Sequence, residues 1–386
     1  MQRPQKAWPY SLYFHTTLLV AITGIVLSIN LANTHYRNYT DITFSSFCAI
    51  SKTINCDTVA QSPWSVIFDL PIALWGLFGY VFFLIFLLLL RKQNQRTLPI
   101  WTFLVLLGGI YSLIALFLGY ISAFKIHSYC ILCLGSYATN LSLFYMSFVI
   151  INRFNSNNFL TDIRLATFYL ANNKRFYIAI VLFLLLFSVT KSFLPQYWKF
   201  ESSLKTITVS NGVTDLGQPW IGSTQPRLTI EVFSDYQCFQ CAKTHSMLRR
   251  LIEEHPDTFR LVQLHYPMDH EFNPTVVADP FHIGSGKMAL LAIYATTQNK
   301  FWEMNDALFQ LARSKEPFNT RYLAEQTGIP LGELNAALTH PEIRKKLLYD
   351  IRKGMKLRIT GTPTFAIENK IYQGFVPDDI LQAVMK

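Results

Sequence analysis

Charge is scarce in this chain. Only 15% of its 386 residues are Asp, Glu, Lys or Arg, against roughly 25% in an ordinary soluble domain, and that shortage excludes a wholly soluble protein. Acidic residues are scarcest in the first half: residues 1–199 hold 4 Asp and Glu against 14 Lys and Arg, whereas residues 200–386 hold 20 of each. The net charge of +10 therefore belongs to the hydrophobic half. There it punctuates apolar runs instead of gathering on a folded polar surface, which sets nucleic acid aside as a partner. Low-complexity tracts and repeats of solenoid period are lacking. So is a small-residue cleavage site after Asn30, and the apolar run behind Arg3 and Lys6 reads as an uncleaved span. Cysteine is sparse too, with six residues at 48, 56, 130, 133, 238 and 241. They form three close pairs with none left over, an inventory that points to dithiol chemistry.

What the first half has is apolar length. Five stretches, 11–31, 70–90, 99–123, 131–151 and 176–194, each approach the ~20 residues that cross about 30 Å of hydrocarbon. Arg3, Lys6, Arg91, Lys92, Arg96, Arg153, Arg164, Lys174 and Arg175 fall in alternate loops on one side; Arg37, Lys52 and Lys125 fall on the other. The positive-inside bias puts the N-terminus in the cytoplasm. An odd number of spans then puts everything beyond about residue 195 outside, in the periplasm of a bacterium, where disulfide chemistry is permitted. All three cysteine pairs share that compartment: Cys48 and Cys56 between the first two spans, Cys130 and Cys133 where the fourth begins, Cys238 and Cys241 in the aqueous part. An even count would split the pairs across the membrane. Three regions are expected: a membrane domain over 1–152, a cytoplasmic loop and fifth, linking span over 153–199, and a soluble domain over 200–386.

From about residue 200 the composition becomes that of a soluble α/β domain. Leu228-Thr-Ile-Glu-Val-Phe233 reads as a strand, Ser234-Asp-Tyr-Gln as a short loop, and the segment from Cys238 through Cys241 and His245 as a helix. A strand, a Cys-x-x-Cys and a helix in that order form a redox arrangement, because unpaired N–H groups and the dipole at a helix N-terminus favour a thiolate at the first cysteine. Cys241 is one turn further in and can close the ring. His245 has two readings, a group that tunes the pair or a surface histidine. Further on, Thr362-Pro363-Thr-Phe leads into a hairpin expected to turn at Asn369-Lys370. A cis Thr362–Pro363 bond would make a tight surface beside the cysteines. Residues 284–350 carry helical periodicity, an insertion within the sheet.

These segments together resemble a DsbA-like thioredoxin-fold domain over about 180 residues, with Phe239-Gln240 between the cysteines where relatives often have proline first. In the other half, Cys48, Cys56-Asp-Thr-Val-Ala-Gln-Ser62-Pro-Trp64, Leu70-Pro71, Trp75-Gly76 and Cys130-Ile-Leu-Cys133-Leu-Gly-Ser-Tyr137 resemble vitamin K epoxide reductase family proteins over roughly 140 residues. That resemblance implies a four-helix catalytic bundle around a quinone, ubiquinone or menaquinone, joined through a fifth span to the thioredoxin-like domain. It also implies exchange of Cys238 with Cys48 and of Cys56 with Cys130, and that Cys133 faces the quinone. Ser62, Trp64 and Tyr137 match the family pattern as quinone-pocket candidates, with a helix cap (Ser62) and the interfacial aromatic belt (Trp64, Tyr137) as their other readings, while Thr362 and Pro363 support the soluble pair.

The expectation is a quinone-dependent thiol oxidase of the bacterial inner membrane that inserts disulfides into reduced exported proteins. Sequence does not set direction, because potentials do, so the same relay run as a vitamin K epoxide reductase, disulfide reductase or isomerase stays open. A membrane-tethered chaperone module is the non-enzyme alternative, and it leaves Cys130 and Cys133 unexplained. Zinc is not expected, since about a hundred residues and a membrane boundary separate the two Cys-x-x-Cys motifs. Asp69 and His127 are candidates for moving protons or steadying a thiolate, with solvated-loop and headgroup readings beside them.

Overall fold

The computed structural model describes residues 9–41, 44–51, 53–91, 94, 96–154, 158–199, 209–313 and 318–385. Arg3, Lys6, Lys52 and Lys92, used above to orient the spans, lie outside the described residues. The chain divides into two compact units, one essentially up to Tyr197 and the other from Trp198 onward.

The first unit is helical. In chain order it holds α1 (Tyr10–Thr40), α2 (Cys56–Gln61), the two-residue strands β1 (Val66–Ile67) and β2 (Leu70–Pro71), α3 (Ile72–Leu88), α4 (Ile100–Ile121), α5 (Ile131–Phe154), α6 (Phe159–Ala171) and α7 (Lys174–Phe193). Among the described residues four helices are long and apolar enough to cross a membrane: α1, α4 with its continuation to Ile126, α5 and α7. The expected span over 70–90 is shorter than the sequence suggested. Pro71, with no N–H to donate, stands just before the first turn of α3 and pairs in a hairpin with Val66, leaving 17 helical residues. At 1.5 Å per residue these cover about 25 Å, the short end of what spans a bilayer. The segment after α5, expected to be a loop, contains the helix α6. Its Asp162 is buried and accepts a hydrogen bond from the Thr102 hydroxyl at 3.2 Å, while Phe159, Leu160 and Phe168 stay exposed.

Small residues bring the helices together, as in membrane bundles generally. Thr17, Ala21, Gly24 and Ser28 form the buried stripe of α1. A Cβ on Gly108 of α4 would come within 2.8 Å of the Phe144 Cα on α5, so only glycine permits that approach. The aromatic rings of α3 (Trp75, Phe78, Phe82) meet Phe183 and Phe187 of α7 at centroid distances of 5.1–6.0 Å.

The second unit is built on a six-stranded sheet in the order β3-β4-β6-β5-β7-β8, with β5 and β6 parallel and the other neighbours antiparallel. Its elements are β3 (Asn211–Val213), β4 (Pro219–Gly222), β5 (Leu228–Ser234), α8 (Phe239–Glu254), β6 (Phe259–His265), five helices α9 (Ser285–Thr297), α10 (Phe301–Arg313), α11 (Thr320–Thr327), α12 (Leu331–Ala337) and α13 (Pro341–Lys356), then β7 (Thr364–Ile367), β8 (Lys370–Gln373) and α14 (Asp378–Met385). The period-two alternation of the central strands divides the core. Ile230, Val232, Leu261 and Phe365 pack against Leu248, Trp302 and Leu308 on one face, and Phe233, Val262 and Leu264 pack against Leu290, Ile343 and Leu347 on the other. The β7–β8 hairpin turns at Glu368-Asn369, one residue earlier than expected, because both residues adopt positive φ (46° and 65°) and so close a two-residue turn between Ile367 and Lys370.

Candidate active site

The loop pair comes first. Cys48 and Cys56 form a disulfide with Cα atoms 5.6 Å apart. The pair is not free to swing in this arrangement. Asn55 caps α2 by accepting the N–H groups of Asp57 and Thr58, Ala49 bridges to Asn55, and Ile54 bridges to Tyr129, the residue before Cys130. The Asn55 N–H donates to the Tyr129 carbonyl at 2.9 Å, and the Tyr129 N–H donates to the Thr53 carbonyl at 2.7 Å. Asp57 is buried and accepts from the Ser46 N–H and the Asn38 amide, both at 2.9 Å, tying the loop back to α1. Cys48, Cys56 and Cys130 are consequently buried in one cluster, with Cys133, Leu31, Val59 and Leu132 packed against it.

Cys130 immediately precedes α5, and the N–H of Cys133 donates to its Sγ at 3.2 Å. Both are free thiols. Cys56, Cys130 and Cys133 all line a cavity of about 740 Å³ between the helices of this unit. Its walls are overwhelmingly apolar. Ser62, Trp64 and Tyr137 line it as well, and they differ in what their polar atoms do. The Ser62 hydroxyl donates to the Val59 carbonyl at 2.8 Å. Among the described residues the Tyr137 hydroxyl has no hydrogen-bond partner. Tyr80, Tyr111 and Asn140, not singled out from the sequence, also reach the cavity: the Tyr80 hydroxyl donates to Asn140 Oδ1 at 2.7 Å, and the Asn140 amide donates to the Tyr111 carbonyl at 3.2 Å. Phe183 and Phe187 make the helix expected only to link the units into part of the cavity wall. Asp69 stands in the turn between β1 and β2 at φ 55°, and His127 is exposed at φ 56°, outside the cysteine cluster.

In the second unit Cys238 is itself the N-cap of α8. Its Sγ accepts the N–H of Cys241 at 3.3 Å and faces the Thr362 carbonyl at 3.4 Å, beside the cis Thr362–Pro363 bond. The hydrogen bond from Cys241 pulls the Cys238 thiol down to about 7, with burial opposing and the charge on His282 assisting. Cys241 is driven the other way by burial and by its bond to Cys238. The arrangement separates a nucleophile from a resolving thiol. His245 is not on the surface: its side chain is 9% exposed, its Nε2 lies 2.9 Å from Asp306, and its ring stacks on Phe309 and Trp302. Burial holds that imidazole below its ordinary value against the pull of Asp306. Among the described residues no cluster of three His, Cys, Asp or Glu could hold a metal ion.

Comparison with known proteins follows the same division. Residues 15–148 match the vitamin K epoxide reductase family model, and residues 214–386 match a thioredoxin model. Vitamin K epoxide reductase complex subunit 1 of Mus musculus is 27% identical over 143 residues, 34% of this chain and 86% of that one. Disulfide bond formation protein D of Bacillus subtilis is 25% identical over 186 residues, 44% of this chain and 77% of that one. Among solved structures, a thioredoxin-like oxidoreductase from Silicibacter pomeroyi aligns at 24% identity and TM-score 0.36, covering 44% of this chain and 91% of its own. DsbA2 of Pseudomonas aeruginosa aligns at 21% identity and TM-score 0.34, covering 46% and 93%. The chain thus joins a membrane region similar to the vitamin K epoxide reductase family to a thioredoxin-like domain, a combination that supports a thiol–disulfide oxidoreductase.

Proposed function

We propose that the protein is a quinone-dependent thiol oxidase that generates disulfides in exported proteins. The observation that carries this reading is the placement of Cys56, Cys130 and Cys133 on the wall of one apolar cavity of about 740 Å³, within the range of sites for small organic ligands. Its residues fit a quinone: an apolar lining suits the ring and tail, and the unpartnered Tyr137 hydroxyl supplies a donor for a carbonyl oxygen. A quinone bound there supplies a lipid-soluble two-electron acceptor, ubiquinone or menaquinone.

The protein's own part is a chain of thiol–disulfide exchanges, each an attack of a thiolate on a disulfide sulfur. Two electrons pass from a substrate dithiol to Cys238 and Cys241, from these to Cys48 and Cys56, and then to Cys130 and Cys133, whose place on the cavity wall suits delivery to the acceptor. Cys48 is fully buried, so its exchange with Cys238 requires the segment around Ala49 and Ile54 to release its bridges. The distribution of Lys and Arg supports a cytoplasmic N-terminus with the thioredoxin-like unit across the membrane, which in a bacterial inner membrane is the periplasm. The Ile54–Tyr129 bridge, which brings both membrane-unit pairs to one end of the bundle, supports a shared compartment.

The test uses the detergent-purified chain, a reduced unfolded protein and added quinone, following quinone absorbance and substrate thiols together. One quinone reduced per disulfide formed is the expected result. Thiol loss without quinone reduction overturns the assignment and moves the epoxide and reductase readings ahead.

A further inference from the structure

One carboxylate organises the loop ahead of α8. Asp235 is 1% exposed. Its Oδ1 accepts the N–H groups of Gln237 (2.7 Å) and Cys238 (3.1 Å), and its Oδ2 accepts the Met268 N–H (2.6 Å) and the Ser285 hydroxyl (2.7 Å). His282 Nδ1 lies 3.1 Å from the same Oδ1 that holds the Cys238 N–H. The segment that delivers this imidazole is bent and pinned. His282 takes φ 41°, a conformation costly for a non-glycine residue, and its ring stacks on Phe281 at 4.0 Å. Gln237 Nε2 donates to the Ile283 carbonyl at 2.6 Å, while the N–H groups of Gly284 and Gly286 donate to Asp269 at 2.8 and 3.2 Å. Arg313 at the end of α10 closes the other side by donating to the Gln237 carbonyl at 2.7 Å.

We propose that His282 is a positioning residue for thiol exchange: paired with Asp235, it places a positive charge beside Cys238 and stabilises that sulfur as a thiolate each time it leaves a mixed disulfide. A substrate thiolate attacks Sγ of Cys238 in the Cys238–Cys241 disulfide; that bond breaks and Cys241 leaves, taking up one proton. A second substrate thiolate attacks the substrate sulfur of the mixed disulfide and expels Cys238 as a thiolate. The substrate gives up two electrons and two protons. The electrons stay on the pair, one proton on Cys241, and the other goes to solvent. His282 acts at the expulsion step, where negative charge accumulates on Cys238.

The charges agree with this role. Burial works against the ionised form of Asp235, but His282 and the hydrogen bonds to Ser285 and Met268 prevail and hold its carboxyl below the usual value. Burial likewise works against imidazolium at His282, but Asp235 and Cys238 prevail and raise it, with Arg313 opposing. Without its partner Asp235 would be a buried anion beside the nucleophile and would disfavour the thiolate. The titratable and charged groups around the pair are Cys238, Cys241, Tyr236, Asp269 and Arg313.

Two measurements on the intact, detergent-purified chain test the role, and neither involves quinone. The first is iodoacetamide labelling of reduced protein against pH, read at Cys238 by tandem mass spectrometry, in the wild type and in His282→Asn, a residue that tolerates the backbone of this position. Loss of the imidazolium is expected to raise the Cys238 midpoint by about one unit, a tenfold smaller thiolate population below it, and to lower the potential of the pair by about 30 mV, the two-electron equivalent of tenfold, at pH well above both midpoints. An unmoved midpoint in folded His282→Asn overturns the proposal. The second needs no variant. Because coupling is reciprocal, the imidazole of His282, followed by peptide-resolved deuterium exchange at its ring carbon, must titrate at higher pH when Cys238 is reduced than when it is in a disulfide. Equal titration in both states overturns the proposal even if His282→Asn does not fold.

Discussion

The two Cys-x-x-Cys motifs have nearly the same local geometry and opposite surroundings. In each, the first cysteine stands at the start of a helix and accepts the N–H of the second, at 3.2 Å for Cys130 and 3.3 Å for Cys238. Around Cys238 lie a buried carboxylate, a histidine and a peptide carbonyl next to a cis proline. Around Cys130 and Cys133 lie a neighbouring disulfide and an apolar cavity. The shared helix start prepares a thiol that can become a nucleophile. The surroundings then select the partner: fixed charge suits exchange with proteins from water, and an apolar cavity suits a lipid-soluble acceptor.

The largest expected effect separates the two motifs. Cys241→Ala should trap substrate on Cys238 as a mixed disulfide visible on a non-reducing gel. Cys133→Ala should leave Cys238 and Cys241 able to oxidise one equivalent of substrate and should then stop, with steady turnover at the uncatalysed background. Thiol loss counted against enzyme distinguishes burst from turnover. Sustained turnover by Cys133→Ala would show that electrons leave the chain elsewhere and would remove the functional contrast between the motifs.

Much of this was legible in the sequence because it is local. Cysteine spacing marked all six thiols, the strand expected over Leu228–Phe233 is present and runs one residue further, to Ser234, and Thr362-Pro363 is cis. What was not legible depends on contacts across long separations. Asp235 and His282 are 47 positions apart and meet only because α8 and the loop before α9 converge. His245 was read as tuning the pair or as a surface residue, and its burial depends on Trp302 and Phe309 of α10. The apolar run at 176–194 reads as a span, yet nothing in its composition says that Phe183 and Phe187 complete a cavity wall. Hydropathy also overstated the second span, because it cannot register that Pro71 pairs in a hairpin before α3 begins.

A smaller effect, in stability, distinguishes the thioredoxin-like unit by its buried titratable groups. Burial pushes Asp350 up to about 7, although it accepts the His265 N–H at 3.0 Å, and burial pushes the His265 imidazole down to about 3. The two act in opposite senses. The native state retains the Asp350 proton where the unfolded state has lost it, so stability from this group is full below about pH 4 and is lost as pH rises towards 7. His265 must stay neutral, so its contribution is lost as pH falls below about 6.5. Asp350→Asn removes the first dependence and unmasks the second. The stability of the variant relative to wild type should fall by up to about 4 kcal/mol on acidification from pH 7 to 4, three units at 1.36 kcal/mol each. Hydrogen exchange in peptides from β6 and α13 measures it locally, and a difference independent of pH would refute the assignment.

The smallest effect lies within the cavity and sharpens the contrast between fixed charge and neutral hydroxyls. Ser62 and Tyr137 both line it, but the Ser62 proton is already engaged by the Val59 carbonyl, whereas the Tyr137 hydroxyl has no partner among the described residues. If a quinone carbonyl sits there it needs a donor, and of these two hydroxyls only that of Tyr137 can contribute one without breaking an existing bond. A neutral hydrogen bond of this kind is worth about 0.5–1.5 kcal/mol. Tyr137→Phe should therefore raise the KM for quinone by roughly two- to thirteenfold while single-turnover oxidation of substrate by Cys238 and Cys241 stays unchanged. Ser62→Ala should alter KM by less than about twofold. If the two substitutions exchange these effects, the carbonyl is held on the α2 side of the cavity, and Ser62 must rotate away from Val59 to receive it.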